Sequence, residues 1–454
     1  MSSRDLQTTV PARSPQAMSS GDAWAIEWVF PAWCRTVLGE APVTLGRAGA
    51  GSPALEGAQV SRQHAKVARD GPILVIEDLE SCNGTHVDGA RVTRAGLGEG
   101  NLLRLGEWVG MVTRRDVDAN EAPFGVVAPG MVGGPKLARA LELAQRAAGS
   151  DLPIVVEGET GTGKECVARA VHTWSGRTGP FIAMNCTALP ESLAEGELFG
   201  YRKGAFTGAD RGNPGHFRAA HGGTLLLDEF TELPLALQAK LLRVIEQREV
   251  LPLGESRPVP IDVRVVVAAQ EPLALALEQK RLRPDLFARL DGITVQVPPL
   301  RERTEDVVDL FRHFIAETSG GHPPSLEPEL VEQLCLHDWP FNVRELQLVA
   351  RRLLVLAGHE PVLCRHHLPA RIRAAAHASR EGAGVSGAAP QTPTLARDDQ
   401  DEQDLAALVA ELRRHRGNLA RASATVGLSR ARAYRLMNRA CGGDLKSLRE
   451  EALR

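Results

Sequence analysis

Eight residues, Gly158-Glu159-Thr160-Gly161-Thr162-Gly163-Lys164-Glu165, stand between an apolar run, Ile154 to Glu157, and a helical pattern. Glycines at this spacing let the backbone wrap phosphate groups. Several N–H groups and a helix N-terminus then face the negative charge, and Lys164 reaches the β- and γ-phosphates. The strict form of the motif has Ser or Thr after the lysine, where this chain has Glu165. Metal binding therefore leans on a second motif, GGTLLLDEF at 222–230. There an apolar strand ends in Asp228, suited to hold Mg²⁺ directly or through water, and Glu229, suited to polarise an attacking water. Hydrolysis also needs positive charge at the γ-phosphate, for which Arg283 and Arg289 in RLRPDLFARL at 281–290 are available; either also fits a surface ion pair. The chemistry expected is ATP binding with Mg²⁺ and ATP hydrolysis.

These residues need a sheet and helices to place them. Apolar strand runs (Ile154 to Glu157, Leu225 to Asp228, Val263 to Ala269) alternate with amphipathic helices (Lys136 to Ala148, Cys166 to Ser175, Pro234 to Gln247). The pattern predicts an α/β domain with a parallel sheet over 132–373, its helical lid starting at about 306. Ahead of it, 23–116 reads as short strands (Ala23 to Phe30, Pro42 to Leu45, Ala65 to Val67, Ile73 to Glu77, Leu102 to Leu105) broken by turns such as Asn83-Gly84. That is an all-β sandwich. Residues 1–22 read as a disordered tail, 117–131 and 374–404 as linkers, and 405–454 as an all-α module.

Bulk properties agree with a multidomain chain. Its 454 residues exceed one core, and a formal charge of −3 excludes nothing by itself. Residues 405–454, however, carry eleven Lys and Arg against four Asp and Glu. The seven cysteines are odd in number and lack paired spacing, which favours reduced thiols over a disulfide frame or zinc site. No apolar run approaches a membrane span. A cytoplasmic location is expected.

At ELFGYRKGAFTGAD, 197–210, the chain resembles the sigma-54 contact segment of bacterial enhancer-binding proteins, which are AAA+ ATPases. GAFTGA at 204–209 is intact, and FIAMNCTAL (181–189), VPPLRERTEDV (297–307) and WPFNVREL (339–346) follow the family's order. The resemblance covers roughly Val132 to Arg371. It implies an active hexamer, with Phe206 and Thr207 touching sigma-54 and Asn185 pairing with Glu229 as the switch that links nucleotide state to that loop. It further implies that Arg283 and Arg289 act in trans and that Arg344 is the lid's sensor. Three positions depart from the family: Ala268-Ala269-Gln270 replaces Ala-Thr-Asn, Phe341 replaces the usual Gly, and Pro284 restricts the backbone of its neighbour Arg283.

The front module, with Gly46-Arg47, Ser61-Arg62-Gln63-His64 and Ser81-Cys82-Asn83-Gly84-Thr85, resembles a forkhead-associated (FHA) domain, a reader of phosphothreonine. In that resemblance Arg47, Ser61 and Arg62 belong to the phosphate site, Asn83 holds the peptide backbone, and His64 is a structural brace. Cys82 stands where a hydroxyl is common. No Asp-rich receiver pattern occurs there. At the other end, His415 to Val426, the turn Gly427-Leu428-Ser429 and Arg430 to Ala440 resemble a Fis-type helix-turn-helix. Arg430, Arg432, Tyr434 and Arg435 are its expected DNA contacts.

Together these readings describe a sigma-54-dependent activator. It would hydrolyse ATP in an oligomeric ring, remodel sigma-54 RNA polymerase, sit on upstream DNA and answer to a phosphothreonine protein, whether a Ser/Thr kinase or its substrate. Two alternatives stay open: an ATP-binding but weakly or non-hydrolysing DNA-bound regulator, and a phosphopeptide scaffold.

Overall fold

The computed structural model describes residues 22–48, 53–71, 73–116, 124–187, 191–206, 209–320 and 322–375, together with residue 425. The chain divides into two units, Met1–Gly384 and Val385–Arg454. Nearly all of the second, with the expected DNA contacts Arg430, Arg432, Tyr434 and Arg435, lies outside the described residues, as do the expected N-terminal tail and most of the linker 374–404.

The front domain is a sandwich of two sheets. One runs in the order Cys34–Leu38, Asp22–Phe30, Trp108–Asp116, Leu102–Leu105, Thr85–Val87, Ala90–Val92; the other is Val43–Leu45, Ala65–Asp70, Ile73–Asp78, Arg94–Leu97. Pairing within each sheet is antiparallel. Alternate residues point inward, so Ile26, Trp28, Leu45, Ile76, Leu103 and Leu105 meet between the sheets, fully buried. Trp28 satisfies its indole N–H by donating to Thr36 Oγ1 at 3.0 Å.

The second domain is built on five parallel strands in the order Phe181–Asn185, Thr224–Asp228 (the acid strand), Arg264–Ala269 (the sensor strand), Ile154–Glu157 (the P-loop strand), Ile293–Gln296. All four residues of the P-loop strand are buried, as expected where helices cover both faces of a parallel sheet. The period-two alternation divides them. Ile154 and Val156 pack with the helices Pro135–Ala147 and Lys164–Trp174, whereas Val155 packs with Leu235–Gln247 and Pro284–Leu290 on the opposite face.

One expectation is corrected here. Much of the stretch read as linker, 117–131, is part of the α/β domain: Gly125–Ala128 and Met131–Gly133 pair as an antiparallel hairpin across Pro129-Gly130. Ala128 and Met131 are buried against the Lys164–Trp174 side of the sheet. The turn residues gave the stretch a loop-like composition and hid the two short apolar runs that flank them.

The lid contains the helices Val307–Thr318, Pro328–Leu336 and Asn342–Ala357. Its apolar core does not stop at its own boundary. Phe311, Phe314, Leu330 and Leu334 share one cluster with Val29, Phe30, Leu102, Val109 and Met111 of the sandwich. Arg104 of the sandwich donates to Glu332 at 2.8 Å and lies 3.1 Å from Glu329, while Arg312 of the lid donates to Pro31 O at 2.9 Å. Among the described residues, no helix is long and apolar enough to cross a membrane.

Candidate functional site

Parallel strands release their loops at one edge, and that edge collects the predicted chemistry. Gly158 follows the P-loop strand and donates its N–H to Ala269 O at 3.1 Å. Gly161 (φ +80°) and Gly163 (φ +106°) hold the left-handed turns of the loop, and Gly163 caps the helix Lys164–Trp174. At Gly161 a side chain has no room: a Cβ there would lie 2.2 Å from Phe341 O. Thr162 closes the turn by donating from Oγ1 to Glu159 O at 2.8 Å.

Lys164 is buried and donates from Nζ to Gly158 O at 2.8 Å. Burial lowers its pKa, the charges of Glu229 and Asp228 oppose that shift, and nearby Arg344 adds to it. Asp228 is displaced upward, first by burial and then by its neighbour Glu229. The site thus sets two adjacent carboxylates against one buried ammonium. That donor set fits a hard divalent cation such as Mg²⁺, which takes one or two carboxylates, waters and phosphate oxygens. The Glu165 carboxylate pairs with Arg169 one helical turn on, at 2.7 Å.

The loop is braced by Arg344, the expected lid arginine, and by three residues of the flanking motifs to which sequence alone assigns no role: Asn342, Arg301 and Arg303. Asn342, fully buried, accepts from Leu300 N–H at 2.7 Å and donates to Thr160 O at 3.0 Å and to Glu159 Oε2 at 3.2 Å. Arg301 grips the Glu159 carboxylate with two bonds of 2.6 and 2.7 Å, and the first of its effects is to hold that carboxyl below its usual range. Arg303 reaches Thr162 O at 3.4 Å, and Arg344 donates its backbone N–H to Gly161 O at 3.3 Å. Residues 301–344 therefore contact Glu159, Thr160, Gly161 and Thr162 of the phosphate loop. PLRER and FNVRE carried these residues in plain sight, but only tertiary contact assigns them a job.

Glu229 leaves the acid strand in a left-handed conformation, φ 54°. The amide that meets its carboxylate is that of Gln270, donating at 2.8 Å; Asn185 instead accepts the backbone N–H of Thr187 at 2.9 Å. The expected Asn185–Glu229 pair is thus replaced, in this conformation, by a Gln270–Glu229 pair. Arg283 is exposed and bound to Asp285 at 2.7 Å. Arg289 lines a cavity with Asp151, Arg177 and Arg264, where the strands begin rather than where they end. Neither arginine joins its own chain's phosphate loop.

Within the GAFTGA segment Gly204 N–H donates to Ala209 O at 2.9 Å and Ala209 N–H to Phe206 O at 3.0 Å. Phe206 is 42 % exposed although its ring lies 5.0 Å from that of Tyr201. Thr207 lies outside the described residues.

At the loop end of the sandwich, Arg47 N–H donates to Ser61 O at 3.1 Å, Ala48 N–H to Arg62 O at 3.0 Å, and Ser61 Oγ accepts from Cys82 N–H at 3.2 Å. Asn83 donates to Gln59 O at 2.7 Å. Arg47, Ser61, Arg62 and Asn83 are thereby brought to one edge. His64, fully buried, ties the loops by accepting Ser61 N–H on Nδ1 and bonding Gly84 O through Nε2, both at 3.2 Å. Burial lowers its pKa, which favours the neutral ring this pairing needs.

Comparison with known proteins agrees with this geometry. Residues 131–296 match the sigma-54 interaction domain, 301–384 an AAA+ ATPase lid domain and 43–106 the FHA domain. The chain is 48 % identical over 210 residues to the DNA-binding transcriptional regulator NtrC of Bradyrhizobium sp. (strain RP501 Parasponia), covering 46 % of this chain and 44 % of that protein. It is 46 % identical over 230 residues to the pathogenicity-locus regulatory protein HrpR of Pseudomonas syringae pv. syringae, covering 49 % of this chain and 73 % of that one. NtrX from Brucella abortus in complex with ADP matches 70 % of this chain and 69 % of its own, with 31 % identity and a TM-score of 0.50. The chain spans about half the length of several curated relatives it matches. With Lys164, Asp228, Glu229 and a lid arginine gathered at one loop, and with GAFTGA intact in its sequence, the chain belongs to the sigma-54-dependent transcriptional activator family and carries an FHA domain at its front.

Proposed function

We propose that this protein hydrolyses ATP in a ring of like subunits, hexameric when active, and uses the cycle to remodel sigma-54 RNA polymerase. Its C-terminal segment, with Arg430, Arg432, Tyr434 and Arg435, would hold it to upstream DNA, and its FHA domain would place it under a phosphothreonine-bearing partner. The observation that carries the reading is the convergence of Lys164, Asp228, Glu229 and Arg344 on one phosphate loop.

In this reading the backbone N–H groups from Gly161 to Lys164 cradle the phosphates and Lys164 neutralises their charge. Asp228 would hold Mg²⁺, which when bound offsets negative charge on the transferred group. Glu229 orients and polarises the attacking water. Arg283 and Arg289, directed away from their own site, would complete a neighbour's site, where an arginine is worth roughly 10³ to 10⁵ in rate. Phe206, 42 % exposed, would be the apolar knob offered to sigma-54, together with Thr207, the next residue in the sequence.

Steady-state ATPase of the full chain against Glu229→Ala tests the hydrolytic half. Equal rates would leave an ATP-binding regulator without turnover, the reading that Ala269 and Gln270 in place of Thr and Asn would favour. Transcription from a sigma-54 promoter with Thr207→Ala tests the coupling half, and undiminished activation would remove the GAFTGA segment from the mechanism.

A further inference from the structure

Two amides flank the proposed general base, and register explains why. Asn185 ends the strand on one side of the acid strand, paired with Asp228; on the other side Leu227 pairs with Val267, which sets Ala269 level with Glu229 and brings Gln270 out one residue beyond it. Only one amide is turned to the carboxylate. Gln270 Nε2 donates to Glu229 Oε1 at 2.8 Å, while Asn185 spends its oxygen on the N–H of Thr187 and so braces its own turn. Reach accounts for the difference at position 270. Glutamine carries one methylene more than asparagine, about 1.5 Å of extra chain, enough to cross to the neighbouring strand's end. The loss of a threonine at Ala269 and the gain of length at Gln270 then belong to one substitution: the sensor strand gives up a hydroxyl and acquires a handle on the base.

We propose that Gln270 is the positioning residue for Glu229 in this protein, fixing the carboxylate plane from the sensor side, in the place where an asparagine at position 185 would otherwise act. This rests on the ATPase reading above. Glu229 sits at φ 54°, a conformation that persists only where its surroundings over-determine it, and the Gln270 bond is the side-chain restraint on its carboxylate. Misplacing a catalytic group by about 1 Å costs on the order of 10²-fold in rate.

The test is steady-state ATPase of the full chain for wild type, Gln270→Ala, Gln270→Asn, Asn185→Ala and Glu229→Ala, with ADP binding as the check on folding. Gln270→Ala should lower kcat by roughly ten- to a hundred-fold while KM for ATP moves by less than about two-fold. Gln270→Asn, too short to reach, should resemble the alanine variant, and both should fall further than Asn185→Ala. The inference is overturned if Asn185→Ala falls further, if Gln270→Asn keeps the wild-type rate, or if Gln270→Ala raises KM and spares kcat, the mark of a direct phosphate contact. A wild-type rate no higher than that of Glu229→Ala overturns the ATPase reading together with this one, which separates the two failures.

Discussion

Arg104 on the FHA sandwich and Glu332 on the lid form an ion pair at 2.8 Å, with their side chains only 10 % and 8 % exposed. Burial raises the Glu332 pKa and the Arg104 charge opposes that rise, so the carboxylate depends on its partner to remain ionised there. Around the pair, Phe30, Val109 and Met111 continue into the lid core. The FHA sandwich and the AAA+ lid thus share one apolar interior.

Removing one partner of such a pair leaves an uncompensated buried charge, at a cost of about 3–5 kcal/mol. Arg104→Ala should therefore loosen the sandwich from the lid and split one thermal transition of the full chain into two. Glu332→Gln in the same background should recover much of the loss. A single unchanged transition for Arg104→Ala, read by calorimetry, would show that the apolar contact alone holds the two together.

Arg303 and Asp306 form a second buried pair at 3.4 Å, beneath the phosphate loop. Burial pushes the Asp306 carboxyl up to about 6 from 3.8 despite Arg303. Below the unfolded value both states hold the proton; between the two values the folded state holds more. Stability from this group is therefore greatest near pH 4 and declines as pH rises to about 6, by roughly 3 kcal/mol at about 1.4 kcal/mol per unit. Denaturant titrations from pH 4 to pH 7 should show that slope in wild type and lose it in Asp306→Asn.

Gly161 admits no side chain, because φ is +80° and Phe341 O would lie 2.2 Å from a Cβ. Gly161→Ala must push the lid from the phosphate loop or flatten the loop. Binding of a fluorescent ADP analogue should weaken about 5- to 150-fold, the equivalent of roughly 1–3 kcal/mol of backbone strain.

Lys164 and Glu229 should separate binding from chemistry. Lys164→Ala removes the ammonium that faces Asp228 and Glu229 and should abolish detectable nucleotide affinity. Glu229→Gln keeps the side-chain shape and should bind ATP while losing about 10²- to 10⁴-fold in kcat. Equal losses of affinity in both would remove Glu229 from the role of base.

Arg47 stands at the proposed phosphopeptide edge, on a segment stitched to Ser61 and Arg62 by backbone bonds of 3.1 and 3.0 Å. Phosphothreonine proteins retained by the wild-type chain should be lost with Arg47→Ala, and a pull-down that retains the same proteins with the variant would argue against phosphate recognition at that edge.

Local sequence determined a good deal of this protein. Glycine spacing, Lys164 and the Asp228-Glu229 strand end declare a phosphate site because backbone shape and side-chain chemistry are decided within a few residues. Alternating apolar runs place Ile154–Glu157 and Leu102–Leu105 as strands for the same reason. The GAFTGA segment bonds within itself between residues 204, 206 and 209. What tertiary structure alone decided lies at long separation. Gln270 meets Glu229 because two strands lie side by side in parallel register; Asn342 and Arg301 meet Glu159 because the lid folds back onto the loop. Arg104 meets Glu332 across 228 positions of chain. No periodicity encodes such pairs, since each residue is an ordinary polar side chain until folding brings its partners within reach.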